Sequence, residues 1–256
     1  MIKALVYVDP DLSSSIALRY TCNLAGMFDM EIQAIHAHQP EGHSHMVHAG
    51  WARRTWEKIQ LEESKKEIEQ LLTAEKQYCP VSIQPIVLAG DPKKEIQEHL
   101  EKGGYDLFVE GIRRPLSSKG LAKKLQSSLY MTAPCPILLV QNLTPLDKVL
   151  LVIRERPTTK AMLSMFNNLF KGGKWTMDAM IPEFLVKSVD EKEAEEVLKE
   201  CGFEVGDIHR IKNTHQVGRL RDYGLVAIGV NRGKIDKAPL VEFVQHLPSP
   251  ILLCWA

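Results

Sequence analysis

The residues best suited to chemistry cluster in three places. Asp9 closes the opening apolar run I-K-A-L-V-Y-V at 2–8 and puts a carboxylate at a strand end. Gly111-Ile112-Arg113-Arg114 opens a basic segment that continues through Lys119, Lys123 and Lys124. Guanidinium and ammonium groups so close together can hold a phosphate or other anion by charge-assisted hydrogen bonds, or form a solvated basic face. His36, His38, His43, His45 and His48 fall within thirteen residues, a density that can bind zinc, nickel or copper. The same histidines can act as a pH-sensitive loop, because their charge changes near neutrality. No cysteine or carboxylate completes a fixed metal spacing, so His38, His43, His45 and His48 remain metal candidates and no site is assigned.

Other reactive types lack the partners that chemistry needs. Cys135 sits between prolines at the start of an apolar run, with no adjacent base, and reads as core. Ser117-Ser118 and Ser127-Ser128 lack a nucleophile-elbow context. No G-x-x-x-x-G-K-[ST] run occurs, which excludes a P-loop ATPase.

Alternating apolar segments must position these residues. Strands are expected near 2–8, 32–38, 82–88, 106–110 and 136–140, with helices between them. Ser13, Ser14 and Ser15 offer N-caps for a helix reaching about Phe28. A long helix runs from about Trp51 to Tyr78, with Trp56, Ile59, Ile68, Leu71 and Leu72 as its inner side. Asp91 and Pro92 suit the N-cap and first position of the next helix. A further helix is expected near 120–131. Strand–helix alternation implies parallel pairing, right-handed crossovers and an open doubly wound α/β sheet.

After a linker at 142–147 the pattern restarts. Strands are expected at 149–153, 175–180, 207–212 and 225–229, with a last strand in P-I-L-L-C at 250–254. Helices are expected at 158–171, 190–201 and 239–246, with a weak one near 214–222. Tyr105-Asp106-Leu107-Phe108 matches Tyr223-Gly224-Leu225-Val226, and Gly111 matches Gly229. A-P-C-P-I-L-L-V at 133–140 is echoed by L-P-S-P-I-L-L-C at 247–254. The chain therefore reads as a duplicated unit, with domains at 1–141 and 148–256 and the second copy shortened. The alternative is one continuous α/β domain.

Composition narrows the class. The 256 residues contain 32 basic and 32 acidic side chains, which gives no overall pull toward nucleic acid or membrane. No apolar run is long enough to cross a bilayer, and the N-terminal run is too short for a signal peptide. Five dispersed cysteines with no C-x-x-C pair suggest reduced thiols in a cytoplasmic protein.

Five segments in order carry a resemblance: A-L-V-Y-V-D-P at 4–10, A-I-H-A at 34–37, V-L-A-G-D-P at 87–92, D-L-F-V-E-G at 106–111 and A-P-C-P-I-L-L-V. Over 1–141 the chain resembles the universal stress protein family. The second half is similar only through L-V-A-I-G and P-S-P-I-L-L. The resemblance implies two five-stranded parallel-sheet domains of the adenine nucleotide alpha hydrolase-like type, packed as an internal pseudo-dimer, with a homodimer also open. It implies a bacterial or archaeal cytoplasmic stress-adaptation protein, with ATP or AMP as ligand and no clear turnover.

It also implies a ligand crevice formed by Asp9, Ala37 and the loop after Gly111. His36 matches a histidine common in the family's second strand. The family's phosphate loop is G-x-x-G, nine residues, then G-S or G-T. Here Arg114 stands for the second glycine, and Lys123 and Lys124 fall near the register of the missing G-S pair. Glu110 replaces a usually apolar residue, and Arg154 replaces Asp9 in the second half. The expected function is non-enzymatic ligand or anion binding with weakened or lost ATP binding. A weak nucleotide hydrolase using Asp9 and the basic loop, and a metal module at His36–His48, are the alternatives.

Overall fold

The computed structural model describes residues 1–39, 50–113, 117–186, 189–234 and 238–256. The first half comprises β1 (Ile2–Tyr7), α1 (Leu12–Ala25), β2 (Met30–His38), α2 (Gly50–Glu75), β3 (Ile83–Ala89), α3 (Pro92–Gly103), β4 (Leu107–Gly111), α4 (Ser118–Leu125), α5 (Ser128–Thr132) and β5 (Ile137–Val140). The second comprises β6 (Lys148–Val152), α6 (Arg156–Phe170), β7 (Thr176–Pro182), α7 (Glu191–Glu200), β8 (Ile208–Ile211), β9 (Leu225–Val230), α8 (Ala238–His246) and β10 (Ile251–Trp255). This is the doubly wound α/β architecture expected from the alternation, built twice.

Strand order is β3-β2-β1-β4-β5-β10-β9-β6-β7-β8, a single ten-stranded sheet. All pairings within each half are parallel. The two halves meet through one antiparallel pairing, in which Ile137, Leu138 and Leu139 oppose Leu253, Leu252 and Ile251. The second half therefore runs in the opposite sense, and the carboxyl ends of its strands lie at the other end of the sheet. Helices α1, α2, α6 and α7 cover one face, and α3, α4, α5 and α8 the other. The central strands read as near-continuous apolar runs because both their faces are covered.

The paired terminal strands explain their shared sequence. A proline has no N–H to donate, but its carbonyl still accepts. Pro136 accepts from Phe108 N at 3.0 Å, and Pro250 accepts from Val226 N at 2.9 Å. Side chains then bind the junction across the halves. Trp255 Nε1 donates to Cys135 O at 2.9 Å, Asn142 Nδ2 to Pro248 O at 2.6 Å, and Tyr20 OH to Gly224 O at 2.7 Å. Arg232 donates to Ala133 O and stacks 4.9 Å from the Trp255 ring. Phe28 packs against Phe170 and Trp175 with ring centroids 5.2 and 5.3 Å away. The duplicated tyrosines keep one role, reaching the second strand of their own half. Tyr105 OH donates to Gln33 at 2.5 Å, and Tyr223 OH to Asp178 at 2.7 Å.

Several local expectations change. The N-cap of α1 is Asp11, which accepts from Ser14 N at 2.8 Å, and not one of the three serines. Ile59 is half exposed, whereas Ile68 is fully buried. Nine residues turn a helix through about 900°, so these two positions lie on opposite faces. The helix expected at 120–131 breaks into α4 and α5 around Gln126 and Ser127. The weak helix near 214–222 is a 3₁₀ segment, Thr214–Arg219.

The reduced-thiol expectation is corrected by a disulfide between Cys22 and Cys79, 57 residues apart. Cys135, Cys201 and Cys254 are free. Sequence spacing carries no sign of the pair, because only the fold brings the turn after α2 onto α1. The bond belongs to a wider clamp. Arg19 forks onto the buried Glu75 at 2.5 and 3.2 Å and lies 4.1 Å from the Tyr78 ring. Replacing both cysteines by serine is expected to lower stability by roughly 2–4 kcal/mol, since the closed loop restricts the unfolded chain. Urea unfolding of the oxidised wild type against the double variant measures this.

Candidate functional site

Ligands of open α/β sheets bind beyond the strand carboxyl ends where strand order reverses. In the first half that point lies between β1 and β4. Tyr7 and Glu110 are register partners there, so their side chains rise side by side from the sheet. They floor a cavity of about 340 Å³. The N-terminal end of α3 supplies Pro92, Lys93 and Ile96 as one wall. Lys123 and Lys124 of α4, with Leu129 and Tyr130, supply the other.

Glu110 is the unexpected feature of this floor. It is buried, yet both carboxylate oxygens are occupied. Lys124 Nζ binds Oε1 and Tyr130 OH donates to Oε2. Burial, reinforced by the Glu110 charge, holds the Tyr130 hydroxyl protonated far above its usual range, so it stays a donor. A buried carboxylate without such partners would be costly. Glu110 was legible only as a departure from an apolar position, and nothing in the spacing of residues 110 and 130 marks Tyr130 as its partner.

Asp9 stands at the crevice edge and is about two-fifths exposed. Tyr7 OH donates to its Oδ2 at 2.8 Å. His36 Nδ1 lies 2.9 Å from Val8 O and 3.1 Å from Asp9 Oδ1. Two acceptors at one nitrogen place the proton on Nδ1. Burial alone would lower the His36 pKa, but the bonds to Asp9 and Val8 and the charge of Glu67 outweigh it and raise it. Burial, then Asp9, pushes the Tyr7 hydroxyl up.

The remaining expected residues separate. Ala37 is buried in β2 opposite Leu88 of β3. Arg113 forks back onto Asp11 Oδ2 at 3.1 and 2.8 Å, away from the lysines. Arg114 lies outside the described residues. Lys123 and Lys124 sit in the last turn of α4, because that helix already starts at Ser118 with Ser117 as N-cap. Counting forward from Gly111 by the family spacing therefore lands inside α4 and not at its start. Gly111 itself is a packing glycine. A Cβ there would stand 2.1 Å from Ser13 O, and one at Gly229 would stand 2.4 Å from Thr158 O. Both glycines let the first helix of their half approach the sheet.

In the second half Arg154 occupies the equivalent crevice. It is buried, donates from Nη1 to Gly229 O at 3.0 Å, and lies 3.6 Å from Glu155. Burial lowers its pKa. His38 bonds Ser64 Oγ at 3.0 Å and Gln60 Oε1 at 3.2 Å on α2. His43, His45 and His48 lie outside the described residues, and among the described residues no group of three metal-ligating side chains forms. The Cys135 thiol is pushed up to about 12 by burial and by Asp106, which keeps it protonated.

The fold and the switch-point crevice define a doubly wound α/β protein with a cavity at the carboxyl ends of its first-half strands. The Usp model, universal stress protein family, matches residues 1–141, and the chain belongs to that family. A universal stress protein from Archaeoglobus fulgidus DSM 4304 is similar over 99% of this chain and 96% of its own, at 15% identity and TM-score 0.70. A functionally unknown Pseudomonas aeruginosa PAO1 protein is similar over 99% and 92%, at 18% identity and TM-score 0.61. A search of curated proteins gives no match. Among the described residues, no helix is long and apolar enough to cross a membrane.

Two outcomes follow. Gly111→Ala is expected to destabilise by about 1–3 kcal/mol, since backbone must move to admit the methyl group; chemical denaturation measures it. His36 has a raised folded-state pKa, so its contribution is full below the unfolded value and lost as pH rises through the folded value. Stability should therefore fall across that window, and His36→Asn should flatten the profile measured by thermal unfolding at several pH values.

Proposed function

We propose that this chain is a non-enzymatic stress-response protein of the universal stress protein type. Its first half, 1–141, holds a small-ligand or anion crevice, and its ATP binding is weakened or lost. The carrying observation is Glu110, whose buried carboxylate is built into the crevice floor by Lys124 and Tyr130. Lys124 is committed to that carboxylate and Arg113 to Asp11, so neither cation is free for a triphosphate.

The second half, 148–256, acts as a packing partner, and the two halves form an internal pseudo-dimer through β5 and β10. The filled crevice at Arg154 supports that division of labour. We place the protein in the cytoplasm, with the Cys22–Cys79 bond as a local clamp in place of a disulfide framework.

Calorimetric titration with ATP and with AMP tests the proposal. Dissociation constants above about 100 μM for both are expected, with no phosphate release. Tight ATP binding, or steady hydrolysis abolished by Asp9→Ala, would overturn it.

A further inference from the structure

The cavity above Tyr7 and Glu110 has a chemistry of its own. Its depth is apolar and partly aromatic: Tyr7, Ile96, Leu129 and Tyr130 face it. Leu129 and Tyr130 are buried. The Glu110 charge is matched by Lys124, and its second oxygen is held by Tyr130, so the floor offers a ligand neither a free acceptor nor net negative charge. Lys93 and Lys123 face the cavity from opposite walls. Both are exposed, and among the described residues neither pairs with a carboxylate. An apolar pocket under two unpaired cations selects by shape at the bottom and by charge at the mouth.

From this geometry we infer that the crevice takes a compact aromatic monoanion, a flat apolar body carrying one carboxylate or sulfonate. This rests on the reading of the first half as a ligand crevice and names the ligand class. The ring enters between Ile96 and Tyr130, and the anionic group stays at the rim between Lys93 and Lys123. The volume of about 340 Å³ suits one bicyclic ring system. Inorganic phosphate lacks the apolar body and forfeits the burial term. A neutral ring lacks the charge and forfeits the lysines. Gly120 lines the same cavity from α4, where the absence of a side chain leaves room for the ring.

Calorimetry with 2-naphthoate, 2-naphthol, inorganic phosphate and ATP on the full chain tests this. 2-Naphthoate is expected to bind about tenfold more tightly than 2-naphthol or phosphate. Lys93→Gln with Lys123→Gln should erase about that factor, and with it the weakening by added salt. Both lysines are exposed, so the double variant keeps the fold. Gly120→Leu fills the cavity while improving helix propensity, and should abolish binding without lowering the unfolding midpoint. Equal affinity for naphthoate and naphthol, or naphthoate binding unchanged in either variant, would overturn the ligand class. No naphthoate binding together with weak ATP binding overturns the ligand class alone. No naphthoate binding with tight ATP binding overturns the proposed function as well.

Discussion

The structure depends on the antiparallel ladder between β5 and β10. Each of these strands is short, apolar and buried along its whole length. Left as an edge, either one would expose unpaired backbone donors and acceptors beside an apolar surface, a template for aggregation. Pairing them with each other satisfies both and joins ten strands into one sheet. It also fixes the relation between the halves. An antiparallel seam reverses the second half, so the two switch-point crevices open at opposite ends of the sheet. No ligand can bridge them, and each crevice can change without the other.

Their contents differ. The first crevice has Asp9 within a hydrogen-bonded chain to Tyr7 and His36, and a carboxylate, Glu110, held by Lys124 and Tyr130. In the second, the buried guanidinium of Arg154 binds the carbonyl of Gly229. What both retain is the close approach of a helix start to the sheet, at Gly111 against Ser13 and Gly229 against Thr158. The glycine echo between the halves therefore records a packing requirement of the fold.

Much of the fold was legible because burial leaves a local trace. The alternation of apolar strands and amphipathic helices, Asp91 and Pro92 at the start of α3, and the duplicated P-x-P-I-L-L ends all follow from nearest-neighbour chemistry. Features that depend on distant chain segments were not legible. The Cys22–Cys79 bond joins residues brought together only by the packing of α1 against the end of α2. The opposite facing of Ile59 and Ile68, by contrast, follows from their nine-residue spacing and was open to sequence reasoning. The basic cluster looked continuous in sequence. In the fold Arg113 turns to Asp11, while Lys123 and Lys124, in the last turn of α4, stand at the cavity.

One seam makes the two halves a single cooperative unit. Native-state hydrogen exchange across a denaturant series tests it directly. The amides of Leu138 and Leu252 in the seam should show the same opening free energy as those of Leu5 in β1 and Leu150 in β6, all merging with global unfolding. Seam amides that exchange at a distinctly lower free energy, or two halves that open with separate denaturant dependences, would contradict the account.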